Sequence, residues 1–512
     1  MPHTSLRPLF FRNAAQLITL GGLPGPRRGT DLGELGIVSR GSLLTMEEKI
    51  LRTGSTRSLE REALRLRAEA IDCHGCVVMP GFVDSHTHLV FAGSRVIDYE
   101  LRLRGNTYEE IAQAGGGIQS SAKRIKKASV SSLVGQAREF LRAFASHGTT
   151  TLEVKSGYGL EINQEMKILR AIRVLQAESP LEIVPTLLAA HALPASFHGR
   201  TREYVDQIIE RLIPMAAGAS VAPGFSPAHG SVAPGFSPAH GSVAPGFSPA
   251  HGSVAPGFSP AHGSVAPGFS PAHGSVAPAS SRHPSWLHKS RQDAGATSRG
   301  QPAMPAKLAE FIDCFCDRGA FSVEDCRRVL AAGRQYGLVP RIHAEQLSRT
   351  GAASLGIELG AASADHLDQL TAQDIRSLAG SEVIATLLPG ANFHLGLKHY
   401  PPARQLIAAG ATVALATDFN PGTSPTLNMQ FVLSLACTQM RMTPAEALAA
   451  ATINGAWALR RGDRLGSLEA GKQADLIVLN VSDYREVPYY FAVNHCVMTV
   501  KRGRIVYSRL PV

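Results

Sequence analysis

From Gly81 onward, short apolar runs with the two-residue alternation of strands give way repeatedly to stretches with the 3.6-residue period of amphipathic helices. That rhythm is the signature of parallel βαβ units. Eight apolar runs carry it, at residues 81–89, 149–156, 182–189, 311–316, 339–344, 361–367, 383–388 and 413–419. Eight units predict a closed (β/α)8 TIM barrel, whose chemistry belongs at the C-terminal ends of the strands. Residues 1–80 read as strands and turns, with an opening strand in 9–20, a Gly-Gly turn and a charged helical interlude near 47–69. After the eighth run comes a helical segment, 443–459, and then Gly turns between Val/Ile runs over 462–506. The fold class expected is α/β, a barrel with a small composite β-sandwich domain built from both termini. In residue ranges, 1–80 and 461–512 form the composite domain, 81–216 and 306–460 the barrel, and 217–305 an insertion.

The insertion breaks every pattern around it. Residues 221–275 are five identical copies of Val-Ala-Pro-Gly-Phe-Ser-Pro-Ala-His-Gly-Ser, with a sixth begun at Val276. Two prolines and two glycines per copy bar helix and regular sheet, and one Phe per copy cannot build a core, so a solvated linker is expected. Its evenly spaced histidines have no scaffold to fix them as metal ligands. The segment follows a helical stretch, 202–214, and precedes the fourth strand, which puts it on the barrel face opposite the strand C-termini. Loop-closure cost grows only logarithmically with length, on the order of a few kcal/mol here, so the barrel should tolerate it. Limited proteolysis should cut between Val221 and Gln301 and leave two associated fragments.

Composition narrows the class. A chain of 512 residues, 44% hydrophobic and 18% charged, buries a large core. The net charge of +10 includes Arg282, Lys289, Arg291 and Arg299 of the insertion, set against Asp293 alone, and no basic run interleaved with aromatics occurs elsewhere. Nucleic-acid binding is therefore not expected. No apolar run is long enough to span a membrane. Seven cysteines without framework spacing suggest reduced thiols and a cytoplasmic protein. Cys73 and Cys76 form a lone CxxC, read as a strand and turn, and Cys314 and Cys316 read as barrel-strand residues. The first thirty residues are arginine-rich and free of acids, but an opening strand accounts for them better than a transit peptide does.

The strand ends carry the chemistry. His86 and His88, spaced i and i+2, project to one side of the first barrel strand and can converge on one ion. His343 and Asp418 end the fifth and eighth runs, and three imidazoles with a carboxylate suit zinc or iron. Such an ion makes water a nucleophile at neutral pH, so a hydrolase is expected, with Asp418 also carrying the proton. His366, ending the sixth run, is expected to orient groups or stabilise an oxyanion. The fourth strand offers no lysine for a carbamate bridge between two metals, which favours one ion, with Lys155 on the second strand a weaker rival. Gly115-Gly116-Gly117 lacks the strand and helix context of a nucleotide loop and reads as a turn over the pocket.

These residues stand in longer motifs: Asp84-Ser85-His86-Thr87-His88-Leu89-Val90-Phe91-Ala92-Gly93-Ser94-Arg95, the stretch 107–118, Lys155-Ser156-Gly157-Tyr158-Gly159-Leu160, Ala190-His191, and Thr417-Asp418-Phe419-Asn420-Pro421-Gly422. Over nearly everything except 217–305, the chain resembles the metal-dependent amidohydrolase superfamily, and within it the branch that opens an imidazolone ring in histidine degradation. The resemblance implies hydrolysis of 4-imidazolone-5-propanoate to N-formimidoyl-L-glutamate, one Zn2+ or Fe2+/Fe3+ ion, and a homodimer. It places metal ligands on His86, His88, His343 and Asp418, and substrate contacts on Arg95, Tyr158, His191, Gln346, Asn420, Gly422 and Thr423. Physically, the Arg95 guanidinium suits a propanoate tail, Tyr158 and His191 suit a polar ring, and Gly422 permits close approach. Some relatives carry glutamate where Gln346 stands; an amide cannot exchange protons, so proton transfer falls to Asp418 and His366. Two other readings stay open: a nucleobase deaminase of the same superfamily, which has no use for a carboxylate-binding arginine, and a catalytically silent scaffold.

Overall fold

The structure is a computed structural model that describes residues 7–106, 110–111, 114–219 and 307–510. The repeats of 221–275, the rest of the insertion through 305, and part of the 107–118 motif lie outside the described residues.

All eight barrel strands form where the apolar runs place them. They are β6 (Phe82–Asp84), β7 (Thr149–Lys155), β8 (Glu182–Ala190), β9 (Phe311–Cys316), β11 (Ile342–Ala344), β12 (Ser363–His366), β13 (Ile384–Leu387) and β14 (Val413–Leu415). A short β10 (Val339–Pro340) precedes β11 and pairs in parallel with the start of β9. Neighbours pair in parallel from β6 round to β14. Closure occurs just beyond the strand ends, where Asp418 N–H donates to His86 O (3.0 Å) and His88 N–H to Phe419 O (2.9 Å). Helix starts follow local chemistry: Ser322 with Asp325, Thr371 with Asp374, and Thr443 with Glu446 each form a reciprocal capping box. The expected helical segment 443–459 is two helices, Pro444–Ala450 and Ile453–Ala458, because Thr452 leaves helical geometry and its hydroxyl turns back to Leu448 O.

The terminal segments make one continuous eight-stranded sheet rather than two hydrogen-bonded layers. Its strands are β1 (Leu9–Ile18), β2 (Ile37–Met46), β3 (Lys49–Ser55), β4 (Glu69–Asp72), β5 (Val77–Pro80), β15 (Leu476–Leu479), β16 (Cys496–Lys501) and β17 (Arg504–Ser508). The key junction is β5 between β1 and β15, which joins the two termini. The N-terminal half of β1 pairs with β4 and its C-terminal half with β5, past an irregularity between Phe11 and Ala14, so the sheet curls over its own core of Phe11, Leu17, Val78 and Val478. The helical interlude near 47–69 needs correction: residues Lys49–Ser55 are an edge strand, and only Thr56–Arg65 is helix, capped by Ser55. Charged side chains in that run tolerate an edge strand, whose outer face is solvated.

Glu182, at the N-terminal end of β8, ties sheet to barrel. Its carboxylate meets Lys501 (3.3 Å), Arg461 (3.4 Å), Arg502 (3.5 Å) and Arg464, while Lys501 also meets Asp475 (2.6 Å). Burial alone would raise the Glu182 carboxyl, but Lys501 and Arg464 outweigh it and bring it down to about 2. On the same face the two flanks of the insertion meet, Leu308 N–H donating to Ala216 O (2.8 Å).

Candidate active site

The HxH segment is pinned through the residue between the histidines. Thr87 N–H donates to Glu153 Oε2 (3.2 Å), its hydroxyl donates to Glu153 O (2.6 Å), and Lys155 N–H donates to Thr87 O (2.9 Å). Thr87 thus faces the second strand, and His86 and His88 turn together into the barrel. Side-chain ligand atoms of His86, His88 and His343 lie within 4.8 Å of one another, all buried. Asp418 joins them, Oδ1 standing 3.5 Å from His86 Nε2 and 3.6 Å from His88 Nε2. Asp418, His366 and Glu345 have φ of 52°, 79° and 53°. Left-handed backbone at non-glycine positions costs about 1–3 kcal/mol each, and here it falls at the ends of three barrel strands.

The electrostatics of this cluster match a cation. Burial, then the charge of Lys155, hold the His86 imidazole well below its usual range against its bond to Asp365; burial also lowers His88, with His191 second. Both rings are therefore neutral, with lone pairs to give. His86 Nε2 and His343 Nε2 are buried and have no hydrogen-bond partner. Burial pushes the Asp418 carboxyl far up. Orphaned imidazole nitrogens around a carboxyl with no lysine or arginine in contact among the described residues suit a metal site, and the residues fit a zinc- or iron-type ion.

Beneath the histidines lies an ionic layer that sequence reasoning missed. His86 Nδ1 shares a hydrogen bond with Asp365 Oδ2 (2.7 Å), which turns Nε2 toward the cluster. Arg341 Nη2 donates to Asp365 Oδ2 (3.2 Å) and to Ser85 O (2.7 Å). Lys155 Nζ donates to Glu153 Oε1 (2.8 Å) and Asp313 Oδ2 (2.7 Å). Asp313 Oδ2 is also 3.1 Å from His343 Nδ1, close but off the hydrogen-bonding direction, as that nitrogen has no bonded partner. A charged residue inside an otherwise apolar strand run, as at Asp313, Asp365 and Glu153, was the available signal. Burial lowers the Lys155 pKa, but Asp313 and Glu153 outweigh it and the net shift is upward. Lys155 is thus held as an ammonium, and only the free amine can form a carbamate.

The expected substrate contacts fall into two groups and one outlier. Tyr158 and His191 flank His88, their rings 5.6 and 5.3 Å from it. His191 Nδ1 is 2.9 Å from Gly157 O, so the proton sits on Nδ1 and Nε2 is left as acceptor. Asn420 organises the turn after Asp418, its Oδ1 accepting from Gly422 N–H and Thr423 N–H (both 2.8 Å). Arg95 lies against Gly422, where an added Cβ would overlap its guanidinium. Its charge also reaches Tyr158 and His191. Gln346 is the outlier, half-buried beyond β11 and outside both groups. Its neighbour Glu345 is committed elsewhere, accepting from Thr350, Gly351 and Ala353 N–H. His366 packs its ring 5.3 Å from His343 and 5.6 Å from His86. Cys73 to Cys76 is a turn between β4 and β5, and burial raises the Cys73 thiol to about 12, which disfavours the reactive thiolate.

Comparison with known proteins agrees with this geometry. The amidohydrolase family model matches residues 69–136 and 295–507. An imidazolonepropionase of Geobacillus kaustophilus is 39% identical over 504 residues, 98% of each chain. One of Solibacter usitatus is 38% identical over 497 residues, covering 97% of this chain and 98% of its own. Among solved structures, guanine deaminase of E. coli superposes with a TM-score of 0.60 at 13% identity, over 98% of this chain and 100% of that one. A zinc-bound adenosine deaminase of Xanthomonas campestris gives 0.55 at 14%, over 98% and 93%. These two share the fold. With a barrel, a buried histidine cluster and near-complete alignment all in agreement, the chain belongs to the amidohydrolase family, alongside its imidazolonepropionases.

Proposed function

We propose that the protein hydrolyses 4-imidazolone-5-propanoate to N-formimidoyl-L-glutamate, using one metal ion held by His86, His88, His343 and Asp418. The observation that carries this reading is the pairing of a buried three-histidine and carboxylate cluster with Arg95 beside the Gly422 turn: a hydrolytic centre next to a cation for a carboxylate tail. A bound Zn2+ or iron ion would supply Lewis acidity, lowering the pKa of water toward about 7. The chain's residues do the rest. Asp418, with Oδ1 among the histidines, accepts the proton of the attacking water and returns it to the leaving ring nitrogen. His191 accepts at Nε2 from a ring N–H, and the Tyr158 hydroxyl, kept protonated by burial, donates. Arg95 takes the propanoate, with Asn420 and Thr423 holding the turn against which it rests. Gln346 contributes a hydrogen bond at the rim, and His366 supports the developing negative charge on the carbonyl oxygen.

No described helix is long and apolar enough to cross a membrane, and all seven cysteines are unpaired, which supports a reducing, cytoplasmic setting. Turnover is tested by anaerobic loss of imidazolone absorbance before and after chelation. Activity removed by the chelator and restored by Zn2+ or Fe2+ is expected, as is complete loss in Asp418→Ala. Full turnover by the metal-stripped protein would defeat the proposal, and deamination of guanine or adenosine without imidazolone opening would replace it with a nucleobase reading.

A further inference from the structure

Arg95 is held between Asp98 and Gly422. Arg95 directs its Nε inward, donating to Asp98 Oδ2 at 2.7 Å. Its side chain is 14% exposed and that of Asp98 8%. The same Asp98 oxygen accepts from Gly117 N–H at 2.8 Å, at the start of the helix Gly117–Lys127. Its other oxygen fills the space a side chain at Gly116 would need. The carboxylate is therefore fixed by backbone on one side and grips the guanidinium on the other. The far edge of Arg95 lies on Gly422, which leaves no room for a Cβ. Gly422 is itself held, its carbonyl accepting from Arg102 Nη2 at 3.2 Å.

We propose that Asp98 is a positioning residue for specificity: it locks the Nε edge of Arg95, so that the Nη edge is presented beside the Gly422 turn to the carboxylate of the substrate. The inference rests on the reading that Arg95 binds the propanoate. A free arginine samples many rotamers, and fixing one with a charge-assisted bond removes that entropy before the ligand arrives. Gly116 and Gly117 have a specific part in this arrangement: the first makes space for the carboxylate, and the second supplies the N–H that holds it. They anchor the aiming group.

The test compares Asp98→Ala, Asp98→Asn and Arg95→Ala in the metal-loaded full chain. Steady-state constants for 4-imidazolone-5-propanoate are measured with inhibition constants for imidazole-4-propanoate and for neutral 4-propylimidazole. A merely structural role would weaken both inhibitors together. Positioning predicts that Asp98→Ala raises KM and the imidazole-4-propanoate constant by about tenfold or more, the effect of losing one bond to a charged group. The 4-propylimidazole constant and kcat should stay within about threefold, metal content should be unchanged, and Asp98→Asn should fall between wild type and Asp98→Ala. The double variant Arg95→Ala/Asp98→Ala should be no worse than Arg95→Ala, since Asp98 acts through that side chain. If Arg95→Ala loses anion selectivity and Asp98→Ala does not, positioning by Asp98 is wrong and the role of Arg95 stands. If Arg95→Ala itself keeps full selectivity for the anionic inhibitor, the carboxylate reading falls and this inference with it.

Discussion

Lys155→Met is the most revealing single change in the ionic layer beneath the histidines. Lys155 is fully buried and bridges Glu153 (2.8 Å) and Asp313 (2.7 Å), with Asp365 at 3.7 Å. Methionine keeps the length and apolar stem but removes the charge. Arg341 still reaches Asp365 at 3.2 Å, but Glu153 and Asp313 lose the cation that bridged them. Breaking a buried pair by deleting one partner costs about 3–5 kcal/mol, because a carboxylate stays desolvated without compensation. An exposed pair such as Arg104 with Glu100, 69% and 61% exposed, contributes about 0–1 kcal/mol, so Arg104→Ala is the matched control. Against a typical stability of about 5–15 kcal/mol, Lys155→Met should fold but unfold at clearly lower urea. Adding Asp313→Asn should recover part of the loss, since it removes a charge the lysine had compensated. Equilibrium urea unfolding of the four proteins, all metal-free, supplies the cycle. A Lys155→Met loss below about 1 kcal/mol, or losses for the two substitutions that simply add, would refute the ionic-layer argument.

Gly422→Ala should raise KM about tenfold while leaving the melting temperature nearly unchanged, because the new methyl group displaces the Arg95 guanidinium rather than core packing; steady-state kinetics with a thermal melt check it. Glu182 gives a pH signature. Its folded pKa, about 2, lies below the ordinary glutamate value of 4.5, so its contribution is complete above about 4.5 and disappears as pH falls toward 2. Glu182→Gln should lack that acid-side slope, on the order of 2 kcal/mol, in unfolding measured between pH 5 and 3, and parallel slopes in both proteins would contradict the assignment. Replacing residues 220–306 by an eight-residue Gly/Ser linker should keep kcat/KM within about twofold, because the flanks meet between Ala216 and Leu308, on the barrel face away from the histidines. Shortening the loop roughly tenfold should also stabilise the barrel by about 2 kcal/mol, and loss of turnover would show that the insertion serves the site.

The barrel was legible because its signal is repeated: eight apolar runs separated by amphipathic segments leave few topologies. The stretch around 47–69 was not, since an edge strand with one solvated face can carry the lysines and arginines that also suit a surface helix. At the site, His86 and His88 stood out because two imidazoles two residues apart on an apolar strand have few other uses. The layer below them was harder to read: single charges inside apolar strand runs mark its members but not their partners. Asp313, Asp365, Glu153 and Arg341 are scattered along the chain, and their meaning lies in cross-strand neighbours that spacing along one strand does not encode. Asp98 was hidden too: it sits in the amphipathic helix Val96–Leu103, where an acid reads as part of a solvated face, yet it is buried against Arg95 and Gly117.

The buried groups also explain why the barrel interior calls for a cation. Lys155 and Arg341 face four carboxylates, on Glu153, Asp313, Asp365 and Asp418, and the surrounding imidazoles are held neutral where burial governs them. Two negative charges remain in a region from which water is largely excluded. Asp84, which accepts from Thr417 N–H (3.0 Å) and its hydroxyl (2.6 Å), adds only part of a further charge at neutral pH, since burial pushes its carboxyl up to about 7. Uncompensated charge in such an interior costs several kcal/mol, and without a cation the group with the least support must take up a proton. That group is Asp418, whose carboxyl burial drives far upward while Asp313 and Asp365 are held low by their cationic and imidazole neighbours. A single divalent ion among the histidines would cancel both charges and ionise Asp418 at once. The acid proposed to carry the proton during hydrolysis is thus the same one whose protonation the ion controls, which ties the charge balance of the whole layer to the reaction.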